Sequence, residues 1–108
     1  MGATIKPDEL KKALNNKKDL KVLDVRRKAD FEADGQIIPG ASYRDPDKIE
    51  QWSKDLKEGQ EVVIYCARGG SVSRSVSEKL REKKIRVSFI EGGIAAWKES
   101  GGEVRSGG

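Results

Sequence analysis

Short apolar runs alternate along this chain with amphipathic stretches, which is the pattern of strands separated by helices. The strongest run is Glu61-Val62-Val63-Ile64-Tyr65, uninterrupted enough to predict a strand buried on both faces. Residues 20–25, Leu-Lys-Val-Leu-Asp-Val, predict a second, and Ile85-Arg86-Val87-Ser88-Phe89-Ile90 alternates as a third. Thr4-Ile5 and residues 42–44 predict two shorter ones. Between them lie helical patterns. Pro7-Asp8-Glu9 has the proline and acids of a first turn, followed by Leu10, Ala13 and Leu14 on one face, with residues 15–18 ending the helix. Residues 27–34 predict a short helix with Phe31 turned inward. Ile49, Trp52 and Leu56 are spaced for a helix starting at Asp45-Pro46-Asp47 and closed by Glu58-Gly59, with Trp52 in the core. Val72, Val76 and Leu80 recur every fourth residue in a helix running to about Lys84, with Ser71 or Ser73 as its cap or in its first turn. Ile94 to Lys98 form the last helix, ended by Gly101-Gly102. Residues 35–41 form a turn in which Pro39 fixes φ and Gly40 allows tight packing, and residues 103–108 are expected to fray. This alternation predicts an α/β protein with a parallel sheet.

The central strand runs into Cys66, the only cysteine. After it, Ala67-Arg68-Gly69-Gly70-Ser71 opens the next helix, so the thiol lies in a glycine-containing turn at a helix N-terminus. Unpaired amides and the helix dipole favour negative charge there, whether a thiolate or a bound anion. Gly92-Gly93, in the turn before the last helix, serves a backbone need beside another loop. Asp24 and Arg26, at the end of the second strand, are expected to give structural support by pairing with each other or with loop amides. Arg44 is expected to leave its strand at the same sheet end as Cys66.

Composition narrows the chemistry. The 108 residues suit one domain, residues 1–108, and 35% hydrophobic against 37% charged residues leaves a modest core under a strongly solvated surface. The net charge of +4 is dispersed, with no basic stripe interleaved with aromatics, which argues against nucleic acid as a partner. No apolar run is long enough to cross a membrane and no signal-peptide core is visible, so a cytoplasmic protein without membrane attachment is expected; a monomer is expected as well. One cysteine makes no internal disulfide, and with no histidine at all a zinc cluster and every Ser-His or Cys-His mechanism drop out. No metal or other cofactor is expected. An active thiol here would have to be activated by amides and cations.

Four strings in order resemble one family. Leu23-Asp24-Val25-Arg26, Ile38-Pro39-Gly40-Ala41, Val63-Ile64-Tyr65-Cys66, and Glu91-Gly92-Gly93 with Trp97 resemble the motifs of a rhodanese homology domain over nearly the whole chain. The resemblance implies a three-layer α/β/α fold with a central, mainly parallel five-stranded sheet. It places the Cys66 loop at the C-terminal strand ends, where open α/β sheets hold ligands. Sulfurtransferases of this family have a six-residue loop, matched here by residues 66–71. Related phosphatases have Cys-x5-Arg, and here Val72 stands in the place of that arginine and Tyr65 in that of their preceding histidine. Two departures are visible: Ile37 replaces the histidine of the family's Gly-His-Ile-Pro-Gly-Ala string, and Glu82-Lys83-Lys84-Ile85 lacks the glycine that relatives often place before the next strand.

The activity implied is sulfurtransfer from thiosulfate, a small anionic donor, to a thiophilic acceptor such as cyanide or a thiol, through a persulfide on Cys66. The amides of Ala67, Arg68, Gly69, Gly70 and Ser71 would hold that anion. Arg68 is the first candidate for the donor's sulfonate or for lowering the thiol pKa, and Arg27, Arg44 and Arg74 are further candidates for steering anions. Ser71 would donate to the sulfur or cap the helix, and the cap is the preferred reading. The alternatives are an inactive rhodanese-like binding or regulatory module, a redesigned or consensus scaffold, suggested by the Lys- and Glu-rich surface, and a cysteine-dependent phosphatase.

Overall fold

Strand alternation divides the apolar residues between two clusters on opposite sides of one sheet, in a computed structural model that describes residues 3–16, 20–68 and 70–106. The strands are β1 (Ala3–Ile5), β2 (Lys21–Asp24), β3 (Gln36–Ile37), β4 (Ser42–Tyr43), β5 (Glu61–Tyr65), β6 (Arg86–Ile90) and β7 (Arg105–Ser106). Five of them form the main sheet in the order β1-β6-β5-β2-β4, every neighbouring pair parallel. Leu23 lies beside Ile64 and Asp24 beside Tyr65, so β2 and β5 reach the same end of the sheet together.

The helices are α1 (Pro7–Asn15), α2 (Lys28–Ala33), α3 (Ile49–Trp52), α4 (Ser71–Glu82) and α5 (Gly93–Glu99). From β5, Val62 and Ile64 join Ile49 and Trp52 of α3 and Val76 and Leu80 of α4. Val63 and Tyr65 join Leu10 of α1 and Ile94 and Trp97 of α5 on the other side. The three-layer α/β/α arrangement with five parallel strands follows from that division.

Three expectations need correction. The single helix over residues 45–56 is divided into a 3-10 turn at Pro46–Lys48, α3, and a 3-10 turn at Ser53–Asp55. The Asp45 carboxylate accepts from the Asp47 amide at 2.9 Å while the Trp52 indole donates to the Asp45 carbonyl at 2.7 Å, which draws the segment into a tighter coil. The turn over residues 35–41 contains β3, and the tail is not loose from Glu103 onward: β7 pairs with β3 antiparallel. Trp97 also donates to the Glu103 carbonyl at 2.8 Å, and Val104 packs on the apolar cluster. Two paired residues create no periodicity that could announce them. Residues 107 and 108 lie outside the described residues, as do residues 17 and 18 of the expected end of α1.

Candidate active site

At the C-terminal end of β5 the chain leaves the sheet with Cys66, which is buried and forms no disulfide. The preceding carbonyl, of Tyr65, still accepts from the Val25 amide at 2.8 Å, so β2 holds the base of the loop. Immediately afterwards the partner changes. Ile94 donates to the Cys66 carbonyl at 2.9 Å and Ala95 to the Ala67 carbonyl at 3.2 Å. Both are first-turn amides of α5, which have no acceptor within their own helix. A trans peptide directs each carbonyl opposite to the following N–H, so the amides of Ala67 and Arg68 point away from α5. On that side neither amide has a hydrogen-bond partner among the described residues.

Gly93 makes this contact close enough to form. Its φ is +63°, and a Cβ there would lie 2.7 Å from both the Ala67 carbonyl carbon and the Arg68 nitrogen, and would overlap the Cys66 carbonyl oxygen. The loop named only in general terms by the sequence is therefore the cysteine loop itself. At its far end Gly70 occupies the N-cap of α4 with no side-chain hydrogen bond, and Ser71 is the first helical residue. The cap assigned to Ser71 is accordingly not formed; a glycine stands one residue earlier, and Ser71 is exposed. Ser73 is fully buried, its hydroxyl without a partner among the described residues.

The arginines are arranged unequally. Arg68 and Arg74 are exposed, Arg27 is exposed at the N-cap of α2, and Arg27 and Ser71 line one groove. Arg44 leaves β4 at the same sheet end as Cys66, its amide donating to the Asp24 carbonyl at 2.8 Å, but its guanidinium is turned onto the Tyr43 carbonyl at 2.9 Å. Gly69 lies outside the described residues. No cluster of three or more His, Cys, Asp or Glu that could hold a metal occurs among the described residues.

Beneath the loop, Asp24 and Arg26 form a buried ion pair with a shortest distance of 2.6 Å. Arg26 also donates to the carbonyls of Asp34 at 2.9 Å and Gln36 at 2.8 Å, joining the ends of β2, α2 and β3. Burial opposes its charge, but the Asp24 carboxylate prevails and the guanidinium pKa is raised. Asp34 pairs in turn with Lys98 of α5, and that hydrogen bond holds the Asp34 carboxyl below its usual range.

The sequence matches the Rhodanese-like domain over residues 6–100. The chain belongs to this family. A solved rhodanese-like domain protein from Staphylococcus aureus is 31% identical, with a TM-score of 0.80 over 96% of this chain and 99% of that one. A tRNA uridine(34) hydroxylase of Streptococcus pneumoniae is 35% identical over 102 residues, which are 89% of this chain and 30% of that protein. The chain thus spans less than a third of the curated relatives it matches. A protein of unknown function from Rhodopseudomonas palustris, described as a possible tyrosine phosphatase, shares the fold with a TM-score of 0.83 at 24% identity, over 96% and 85% of the two chains.

Within this rhodanese-like domain, three features of the site escaped sequence reasoning. Tyr65 reads as one more apolar strand residue, yet its hydroxyl oxygen accepts from the Ile38 amide at 3.2 Å inside the core. Burial first, then the Asp24 charge, push its pKa well up. Tyr43 stacks on Phe31 with centroids 4.1 Å apart and donates to the Arg26 carbonyl at 3.0 Å. The α5 amides at the loop carry no sequence signal beyond Gly92-Gly93.

Proposed function

We infer that this rhodanese-like domain is a sulfurtransferase that carries sulfane sulfur on Cys66. The observation that supports this most strongly is the pinning of the Cys66 and Ala67 carbonyls by α5, which frees the next two amides to face an anion. Cys66 thiolate attacks the outer sulfur of thiosulfate; the new Sγ–S bond forms as the donor's S–S bond breaks, and sulfite leaves with the electron pair. The resulting persulfide anion is held by loop amides as an oxyanion hole holds developing charge. Cyanide or a thiolate then takes the outer sulfur, and Cys66 thiolate is restored. Arg68, an exposed residue of the loop, would be the cation that meets the donor's sulfonate.

The phosphatase reading is disfavoured by Val72. In the place where such a loop needs a phosphate-binding arginine, this chain packs a partly buried valine against the apolar cluster of Leu23, Ile64 and Val76. Incubation with thiosulfate and cyanide should yield thiocyanate, and Cys66→Ser should abolish it while leaving the fold intact. Absence of thiocyanate from correctly folded protein overturns the assignment and favours the inactive binding module.

A further inference from the structure

The helix that braces the cysteine loop is itself tied down one turn later. At its start α5 presents the Ile94 and Ala95 amides to the Cys66 and Ala67 carbonyls. About 6 Å farther along its axis, the Lys98 ammonium donates to Oδ2 of Asp34. Residues four apart lie on one face of a helix, so Ile94 and Lys98 share a face. The other bonds near this end run elsewhere: Lys11 of α1 donates to the Ser100 carbonyl at 3.2 Å, and Trp97 donates to the chain's own continuation at Glu103. Among the described residues, Lys98 alone joins the side chains of α5 to the polar group beneath Cys66.

Asp34 is a fixed anchor for that bond. Its carbonyl accepts from the buried Arg26 at 2.9 Å, and its Oδ1 accepts from the Gln36 amide at 3.2 Å, which leaves Oδ2 facing Lys98 and 3.9 Å from Arg26. The bond to Lys98 holds the Asp34 carboxyl below its usual range, so the pair is ionised at neutral pH. Arg26 is held in turn by Asp24, which lies beside Tyr65 in the sheet. The contacts form a closed loop: from the strand ends under Cys66, through Arg26 and Asp34 to Lys98, and back through the first turn of α5 to the Cys66 carbonyl.

Ile94 and Trp97 attach α5 to the apolar cluster, but such contacts are non-directional and tolerate a small rotation or slide. Hydrogen bonds at the loop do not, because they weaken steeply as their angle closes. We propose that Lys98 is a positioning residue for sulfur transfer: its bond to Asp34 sets the rotation of α5 at which the Ile94 and Ala95 amides meet the loop carbonyls, and thereby the direction of the Ala67 and Arg68 amides that hold the persulfide anion. This rests on the sulfurtransferase reading of Cys66. Lys98 acts through α5, and Asp34 is its counterpart on the body of the domain.

The test follows loading by thiosulfate, as intact mass against time, in wild type, Lys98→Met, Asp34→Asn, the double variant and Lys98→Arg, each first shown by urea unfolding to be folded under the assay conditions. In Asp34→Asn the side-chain oxygen can still accept from Gln36, which turns the NH2 toward Lys98. The two side chains are 35% and 41% exposed, so screening keeps the expected effect modest: each single variant should reduce the maximal loading rate about threefold. The half-saturating thiosulfate concentration should stay at the wild-type value, since the interaction lost is one made in the transition state. The double variant should be no slower than either single one, Lys98→Arg, which keeps the charge, should load at close to the wild-type rate, and the differences should shrink at high salt. Because the single variants change the net charge in opposite directions, a general field effect on an anionic donor would slow one and speed the other. Opposite effects, additive effects, no rescue by arginine, or unchanged maximal rates in folded variants overturn the positioning role. Failure of the wild type to load overturns the sulfurtransferase reading and this proposal with it; a wild type that loads beside variants that load equally fast overturns the role of Lys98 alone.

Discussion

The Ile94 amide holds the Cys66 carbonyl at 2.9 Å, and Gly93, the residue before Ile94, has no room for a Cβ against the same loop. The cysteine turn is thus braced from behind by the start of α5, while β2 holds its base.

Gly93→Ala should therefore impair stability and reactivity together. The left-handed φ and the backbone overlap should cost about 2–4 kcal/mol, and displacing the loop by about 1 Å should slow sulfur loading about a hundredfold. Gly101→Ala is the control. Its φ of +82° is similarly strained but its Cβ would meet open space, so it should cost about 1–2 kcal/mol and load at the wild-type rate. Urea unfolding and loading kinetics read both; equal loading in the two variants would contradict the brace.

Tyr65 links stability to alkaline pH. Burial and the Asp24 charge raise its pKa, so above the unfolded value of about 10 the native state keeps a proton that the unfolded chain releases. Stability should then fall as pH rises past that point, with a contribution from this residue of up to about 1.4 kcal/mol per pH unit. Tyr65→Phe should cost about 1–3 kcal/mol at neutral pH by leaving the Ile38 amide unpaired, yet decline less steeply above about pH 10. Urea titrations across that range decide it; an unchanged slope would contradict the coupling.

Lys84 stands where a glycine belongs. It has φ of 63°, its amide donates to the Arg81 carbonyl at 2.9 Å, and the Ile85 amide donates to the Leu80 carbonyl at 3.2 Å, the paired bonds of a helix end that turns through a left-handed residue. Lys84→Gly should raise stability by about 0.5–1 kcal/mol. A lower midpoint in urea would show that Lys84 makes a compensating contact.

Ser77 is fully buried on the sheet-facing side of α4, its hydroxyl without a partner among the described residues. Ser77→Ala removes an unmet polar group and improves helix propensity, so stability should rise by about 1 kcal/mol. Loss of stability would mean the hydroxyl is satisfied.

The path from β5 through Cys66 into α4 was legible because a buried parallel strand has an apolar code and a turn before a helix needs small residues. Gly93 was legible as a backbone requirement, though its partner lay 27 positions earlier in the chain, where local patterning has no reach. The break in the segment around Trp52 was hidden because Ile49 and Trp52, three apart, share a face in either kind of helix. The pairing of β3 with β7 and the Tyr65 hydroxyl were hidden for a related reason: each depends on one contact between distant segments. The Asp24–Arg26 pair was readable from its place at a strand end, but not its extension through Asp34 to Lys98.

The most direct test of Cys66 as a sulfur carrier is the intact mass of the protein after brief exposure to thiosulfate and removal of excess reagent. The expected result is a gain of one sulfur atom in the wild type, reversed by cyanide and absent from Cys66→Ser. A folded wild type whose mass is unchanged, or a Cys66→Ser variant that gains the same atom, would contradict it.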